Sequence, residues 1–67
     1  MSNIKYSRHA RFQMIERGIS EKEVSDAIKK GSKRKQGDKI EAAYRHLKVV
    51  FKKAKDDCYV ITVMLRW

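Results

Sequence analysis

Hydrophobic positions along this chain recur at two spacings, and the change near Ser32 divides it into two parts. Before that point the apolar residues come three and four apart, as on one side of a helix. Ser7 can cap a first helix over Arg8 to Arg17, and Gly18 supplies the left-handed residue that ends it. Ser20-Glu21-Lys22-Glu23 reads as a capping box, with Ile19 and Val24 placed for a hydrophobic staple. Val24, Ala27 and Ile28 then form one stripe, Lys29 and Lys30 suit the negative helix end, and Gly31 stops the second helix. From Ser32 onward the period becomes two. Ile40, Ala42 and Tyr44 alternate with Glu41, Ala43 and Arg45, and a second run from Leu47 to Ala54 is built on Val49, Val50 and Phe51. Asp56-Asp57 marks a turn before Cys58 to Trp67, where Tyr59, Ile61, Val63 and Leu65 oppose Val60 and Met64. A strand apolar on both faces belongs inside its sheet. Lys33 to Gln36 suits a short edge strand, because lysines there discourage pairing with another chain. The expected fold is a single α+β domain over residues 1–67, with two N-terminal helices packed on a three- or four-stranded antiparallel sheet.

Charge adds a partner class to this picture. The net charge of +9 arises in the stretch from Lys29 to Lys55, where eleven Lys or Arg face only Asp38 and Glu41. So concentrated a positive field attracts polyanions, with a nucleic-acid phosphate backbone first, an anionic membrane second and an acidic protein third. No apolar run reaches the length of a membrane span, and the N-terminus lacks the apolar core of a signal peptide. Cys58 stands alone, so no internal disulfide can form, which suits a reducing cytoplasm.

The residue inventory excludes several chemistries. His9, His46 and Cys58 show no paired spacing of the kind a zinc site needs, and the carboxylates form no recognisable calcium or magnesium loop. Neither a glycine-rich phosphate loop nor a serine elbow is present, so no metal or organic cofactor is expected. RNA cleavage fits within those limits, because RNA carries its own nucleophile in the 2′-hydroxyl. An enzyme then needs only proton transfer and neutralisation of charge on the phosphate oxygens.

Helix-surface geometry groups the candidates. At about 100° per residue, Glu16, His9, Gln13 and Arg17 fall within one arc of about 100°. Ala10, Met14, Ile15 and Phe12 occupy the other side, interrupted by Arg8 and Arg11. His9 and Arg17 lie about 12 Å apart along the axis, a spacing that can line one groove holding successive phosphates. Each also has an ordinary structural role open to it: a hydrogen bond near the helix start for His9, and a cap on the last carbonyls for Arg17.

The run His9, Met14, Arg17, Gly18, Ile19, Ser20, together with Val60-Ile61-Thr62-Val63, resembles a family of small bacterial and archaeal domains of unknown function. That family is grouped with the Barnase–EndoU–Colicin–RelE (BECR) ribonuclease fold, which includes metal-independent toxins of toxin–antitoxin systems. The resemblance implies a RelE/BECR-like domain and an mRNA interferase-like endoribonuclease. It makes His9 a proton-transfer candidate, Arg17 a phosphate clamp and Thr62 a polar residue facing the cleft.

Sheet residues complete the candidate set. Tyr44 can stack on a base or donate to phosphate, and Arg45 and His46 at the following turn can supply phosphate contact and general acid chemistry. Lys33, Arg34, Lys35, Lys48 and Lys52 would guide RNA in without reading its sequence. Alternation separates Lys48 and Lys52 from Lys53, so the charge forms a belt around the sheet. Tyr59 and Trp67 are expected to pack. The expected partners are RNA, including ribosome-bound mRNA, and an acidic antitoxin protein, with the chain a monomer or weak homodimer and no membrane involved. The alternative is a non-catalytic basic module that binds nucleic acid or protein.

Overall fold

Ile4 and Tyr6 begin the fold, on a short strand that precedes both helices. The computed structural model describes residues 3–66 and orders them as β1 (Asn3–Tyr6), α1 (Arg8–Arg17), α2 (Glu21–Lys30), β2 (Ser32–Gln36), β3 (Lys39–Tyr44), β4 (Leu47–Ala54) and β5 (Asp57–Leu65). The strands form one sheet in the order β1-β5-β4-β3-β2. β1 runs parallel to β5, and every other neighbouring pair is antiparallel.

This corrects the layout expected for a RelE/BECR-like domain, two N-terminal helices on a three- or four-stranded antiparallel sheet. A strand comes first, and the sheet has five strands and is mixed. The reason is physical: β1 offers only two inward apolar residues, too few to register as a period, and its partner lies at the far end of the chain. One signal did point to it. β5 is apolar on both faces, and an interior strand needs a neighbour on each side. β2 forms the charged edge, exposed along its whole length.

Both helices lie on one face of the sheet, over Ala42, Leu47, Val49, Phe51, Cys58, Val60 and Val63. Val60 and Val63 both reach that core although they are three residues apart. A bulge makes this possible: Val50 pairs with Thr62 and Phe51 with Val60, so Ile61 has no opposite residue. The expected grouping of Ile61 with Val63 and Leu65 on one face therefore fails, because the extra residue resets the alternation.

The helix boundaries follow their caps. Ser7 Oγ accepts from the Ala10 amide at 3.0 Å, and Gly18 takes a φ of 66° that closes α1. Ile19 N–H donates to Met14 O at 2.8 Å, and its side chain enters the core between the helices. Ser20 and Glu23 form the reciprocal capping box of α2. On α1 only Ala10 and Met14 are buried; Phe12 and Ile15, expected beside them, are 62% and 82% exposed. α1 turns those residues outward because its inner flank is occupied by polar contacts to β5, described below.

Gly31 has an ordinary φ of −72°, so its role is spatial. A Cβ there would lie 2.5 Å from Ala27 O and 2.8 Å from Ala43 O, where α2 ends against β3. We expect Gly31→Ala to lower the unfolding free energy by about 1–3 kcal/mol. In urea titrations this appears as a lower midpoint with an unchanged slope.

Candidate nucleic-acid interface

Among the described residues, nothing packs on the sheet face opposite the helices, and cross-strand register sets out its residues in rows. One row runs Ser32, Ala43, Lys48, Met64; the next runs Arg34, Glu41, Val50, Thr62; a third sets Tyr59 between Lys52 and Lys5. Lys39 and Arg66 extend the same face by alternation, and no residue in these rows is buried. Basic side chains there outnumber the acidic Glu41 and Asp57. Three lysines already hold carboxylates: Lys5 with Asp57 at 3.5 Å, Lys48 with Glu41 at 3.3 Å and Lys52 with Asp38 at 3.0 Å. The Lys52 ammonium holds the Asp38 carboxyl below its usual range, chiefly through that hydrogen bond. The Lys5 and Lys52 pairs are solvent-accessible and of a kind that contributes about 0–1 kcal/mol, so an incoming phosphate can displace their carboxylates, whereas Lys48 and Glu41 are half-buried. Among the described residues no carboxylate pairs with Arg34 or Arg66, which line a trough of about 410 Å³ with Lys48, Glu41 and Ser32.

α1 borders this face. β1 covers β5 only from Asp57 to Val60, leaving the rest of that edge without a strand. Side chains of α1 and its cap take over. Ser7 Oγ donates to Ile61 O at 2.8 Å, and Gln13 Oε1 accepts from Val63 N–H at 3.0 Å and from the Thr62 hydroxyl at 2.7 Å. Gln13 thus fixes the rotation of α1. Measured around the helix from Gln13, Ala10 and Met14 lie on the core side, and His9 and Glu16 lie on the other. His9 therefore stands, exposed, on the flank of the Gln13–Thr62 contact away from the core. Arg17 lies on the core-side flank one turn further on. Both His9 and Arg17 are exposed, and among the described residues neither side chain has a hydrogen bond or ion pair.

Tyr44 and His46 sit elsewhere. Tyr44 shares the helix-covered face with Ile40 and Ala42, and the Arg45 guanidinium stands 5.4 Å over its ring. Arg45 holds a left-handed φ of 57° in the β3–β4 turn, which costs roughly 1–2 kcal/mol for a non-glycine residue. His46 O accepts from Arg66 N–H at 2.7 Å, tying that turn to the end of β5. Tyr44, Arg45 and His46 line a cleft of about 150 Å³ together with the carboxylates Glu23 and Asp26.

The expected catalytic set thus falls into three places. His9 and Thr62 both flank Gln13 at the β5 edge, Tyr44 and His46 lie in the α2–hairpin cleft, and Arg17 stands at the end of α1 that leads into α2. The phosphate-binding set divides as well. Arg34, Lys48 and Lys52 share the open face, while Lys33 and Lys35 face the helix side. Lys33 Nζ donates to Lys29 O and Gly31 O, both at 3.3 Å, at the end of α2. Lys53 opposes Cys58 on the helix side, as alternation required. Trp67 lies outside the described residues. Tyr59, expected to pack, is instead 46% exposed on the open face. Sequence spacing does not single out Lys5, Gln13 or Arg66: Lys5 becomes visible only with β1, and Gln13 has its place in the α1 arc without a partner to explain it.

Among the described residues no three His, Cys, Asp or Glu side chains converge to hold a metal ion, and no helix is long and apolar enough to cross a membrane. The molecule is a small α+β domain with one helix-covered sheet face and one open, cationic face. It belongs to the family described as Domain of unknown function (DUF4258), whose model matches residues 6–65. No curated protein and no solved structure matches the chain.

Two measurements check this geometry. Gln13→Ala leaves the Val63 amide and the Thr62 hydroxyl without their acceptor, so unfolding free energy should fall by about 1–3 kcal/mol, with Gln13→Glu retaining most of it. Glu23 is held below the usual carboxylate range by the Ser20 amide first, then the Ser20 hydroxyl, with a smaller contribution from His46. A depressed folded-state value means its contribution is full above the ordinary glutamate range and is lost as pH falls through the folded value. Acid titration of Glu23→Gln should show a shallower loss of stability across that range than the parent chain.

Proposed function

We propose that this chain acts on RNA as a metal-independent endoribonuclease of toxin type. The observation that supports the reading is the orientation of α1: Gln13 is held on Thr62 and Val63, and His9, one turn earlier and exposed, lies on the flank of Gln13 away from the core. RNA phosphates held by Arg34, Lys48, Lys52 and Arg66 would run past that imidazole. His9 accepts the 2′-hydroxyl proton as the 2′-oxygen attacks phosphorus, the bond to the 5′-oxygen breaks, and that oxygen takes a proton from the imidazolium or from water. The products are a 2′,3′-cyclic phosphate and a 5′-hydroxyl. Arg17 and Arg45, which lie outside that groove, would meet phosphates only where the strand leaves the open face, and Thr62 positions Gln13. A cytoplasmic location would suit action on RNA, ribosome-bound or free, and an acidic antitoxin would cover the same positive face.

A second reading, RNA binding without cleavage, is favoured by one specific observation. Tyr44 and His46 lie on the helix-covered side, away from His9, so neither stands across the groove from it as a second proton donor. Incubation of the purified chain with RNA in EDTA, with and without ribosomes, separates the two. Cleavage that survives EDTA and falls about 10²- to 10⁴-fold in His9→Ala supports the enzyme. Salt-dependent binding with no product, unchanged by His9→Ala, supports the binding module.

A further inference from the structure

Tyr59 is the one aromatic ring on the described open face, and its setting is specific. It is 46% exposed in the interior of the sheet, with Lys5 opposite it on one side and Lys52 on the other. Adjacent strands lie about 4.8 Å apart, so two ammonium groups flank a flat ring across a span of roughly 10 Å between outer strands. Val50 and Met64 continue the apolar strip along the sheet, and Lys48, Arg34 and Arg66 border it. A ring between two cations matches the alternation of base and phosphate in an unpaired strand: the base stacks on the ring and the phosphates meet the lysines. A duplex cannot use it, because its bases are stacked on one another and turned inward.

We infer that the open face is a stacking platform for single-stranded RNA, with Tyr59 as the base contact and Lys5 and Lys52 as its phosphate contacts. The inference rests on the proposed action on RNA and adds the form of the substrate and the residue that reads that form. Occupancy requires Lys5 and Lys52 to exchange Asp57 and Asp38 for phosphate, and both carboxylates lie at the margins of the face, able to move aside. Arg66 then extends the phosphate path along the end of β5, and Arg34 extends it across the sheet to the β2 edge.

Fluorescence anisotropy with a labelled 12-nucleotide oligouridine and a duplex RNA of equal length tests this, on the full chain. The parent should bind the single strand more tightly than the duplex. Tyr59→Ala should weaken single-strand binding roughly 5- to 150-fold and leave duplex binding unchanged. Tyr59→Phe, which keeps the ring, should bind within about twofold of the parent. Replacing Lys5 and Lys52 by Gln should reduce the slope of log affinity against log salt by about 0.7 for each phosphate no longer neutralised. Ultraviolet crosslinking of 5-iodouridine RNA to the parent chain, mapped by mass spectrometry, should mark Tyr59 and reads the contact without any variant. Single-strand binding that is intact in Tyr59→Ala, or crosslinks that avoid Tyr59, overturns the platform while action on RNA stands. No RNA binding by the parent chain overturns both.

Discussion

β5 outruns its parallel neighbour, and the way its exposed edge is satisfied governs the rest of the molecule. Four residues of β1 pair with Asp57 to Val60, and beyond them the strand still presents backbone groups that need partners. Ser7 and Gln13 supply those partners from the start and middle of α1. An unpaired edge invites another chain, so covering it with a helix also protects the fold. Because Gln13 bonds both a side chain and a main-chain amide, the helix cannot rotate without breaking two contacts. Ala10 and Met14 are thereby set into the core, His9 on the exposed flank beside Gln13, and Phe12 and Ile15 into solvent.

The bulge at Ile61 belongs to the same arrangement. It adds one residue to β5 opposite β4, bends the strand locally and presents Thr62 at the edge where Gln13 can reach it. It also lets Val60 and Val63 fill one core without leaving a gap. Gly18, Ile19 and Ser20 do related work at the other end of α1: a left-handed cap, an apolar anchor and the first residue of a capping box. Of the residues in the stretch from His9 to Ser20 that suggested a family, Met14, Gly18, Ile19 and Ser20 therefore have evident folding roles. His9 and Arg17 are exposed and have none visible in the packing.

Electrostatics act on both sheet faces but with different consequences. On the helix side Lys33 serves the α2 C-terminus, where backbone carbonyls carry partial negative charge. On the open side Lys5 and Lys52 rest on solvent-accessible carboxylates, weak contacts that leave the charge available to a stronger anion. The same residue type is structural in one place and available in the other. Sequence position alone does not distinguish the two.

Local information sufficed for the helices. Ser7, Gly18, the Ser20–Glu23 box and Gly31 set their ends through hydrogen bonds that span only a few residues, so the boundaries were legible in the chain. The β3–β4 hairpin and the charged edge of β2 were legible too, since alternation and short turns are also local. Three things depended on contacts between distant residues: the parallel pairing of β1 with β5, the bulge that reset β5 alternation, and the rotation of α1 against the sheet. The first and last of these join residues some 50 positions apart. Composition and spacing thus determined that the protein is basic, small and built from two helices and several strands. Only the tertiary structure decided which cations share a face with Tyr59 and which flank of α1 faces the core, because both follow from long-range register that no window of the sequence contains.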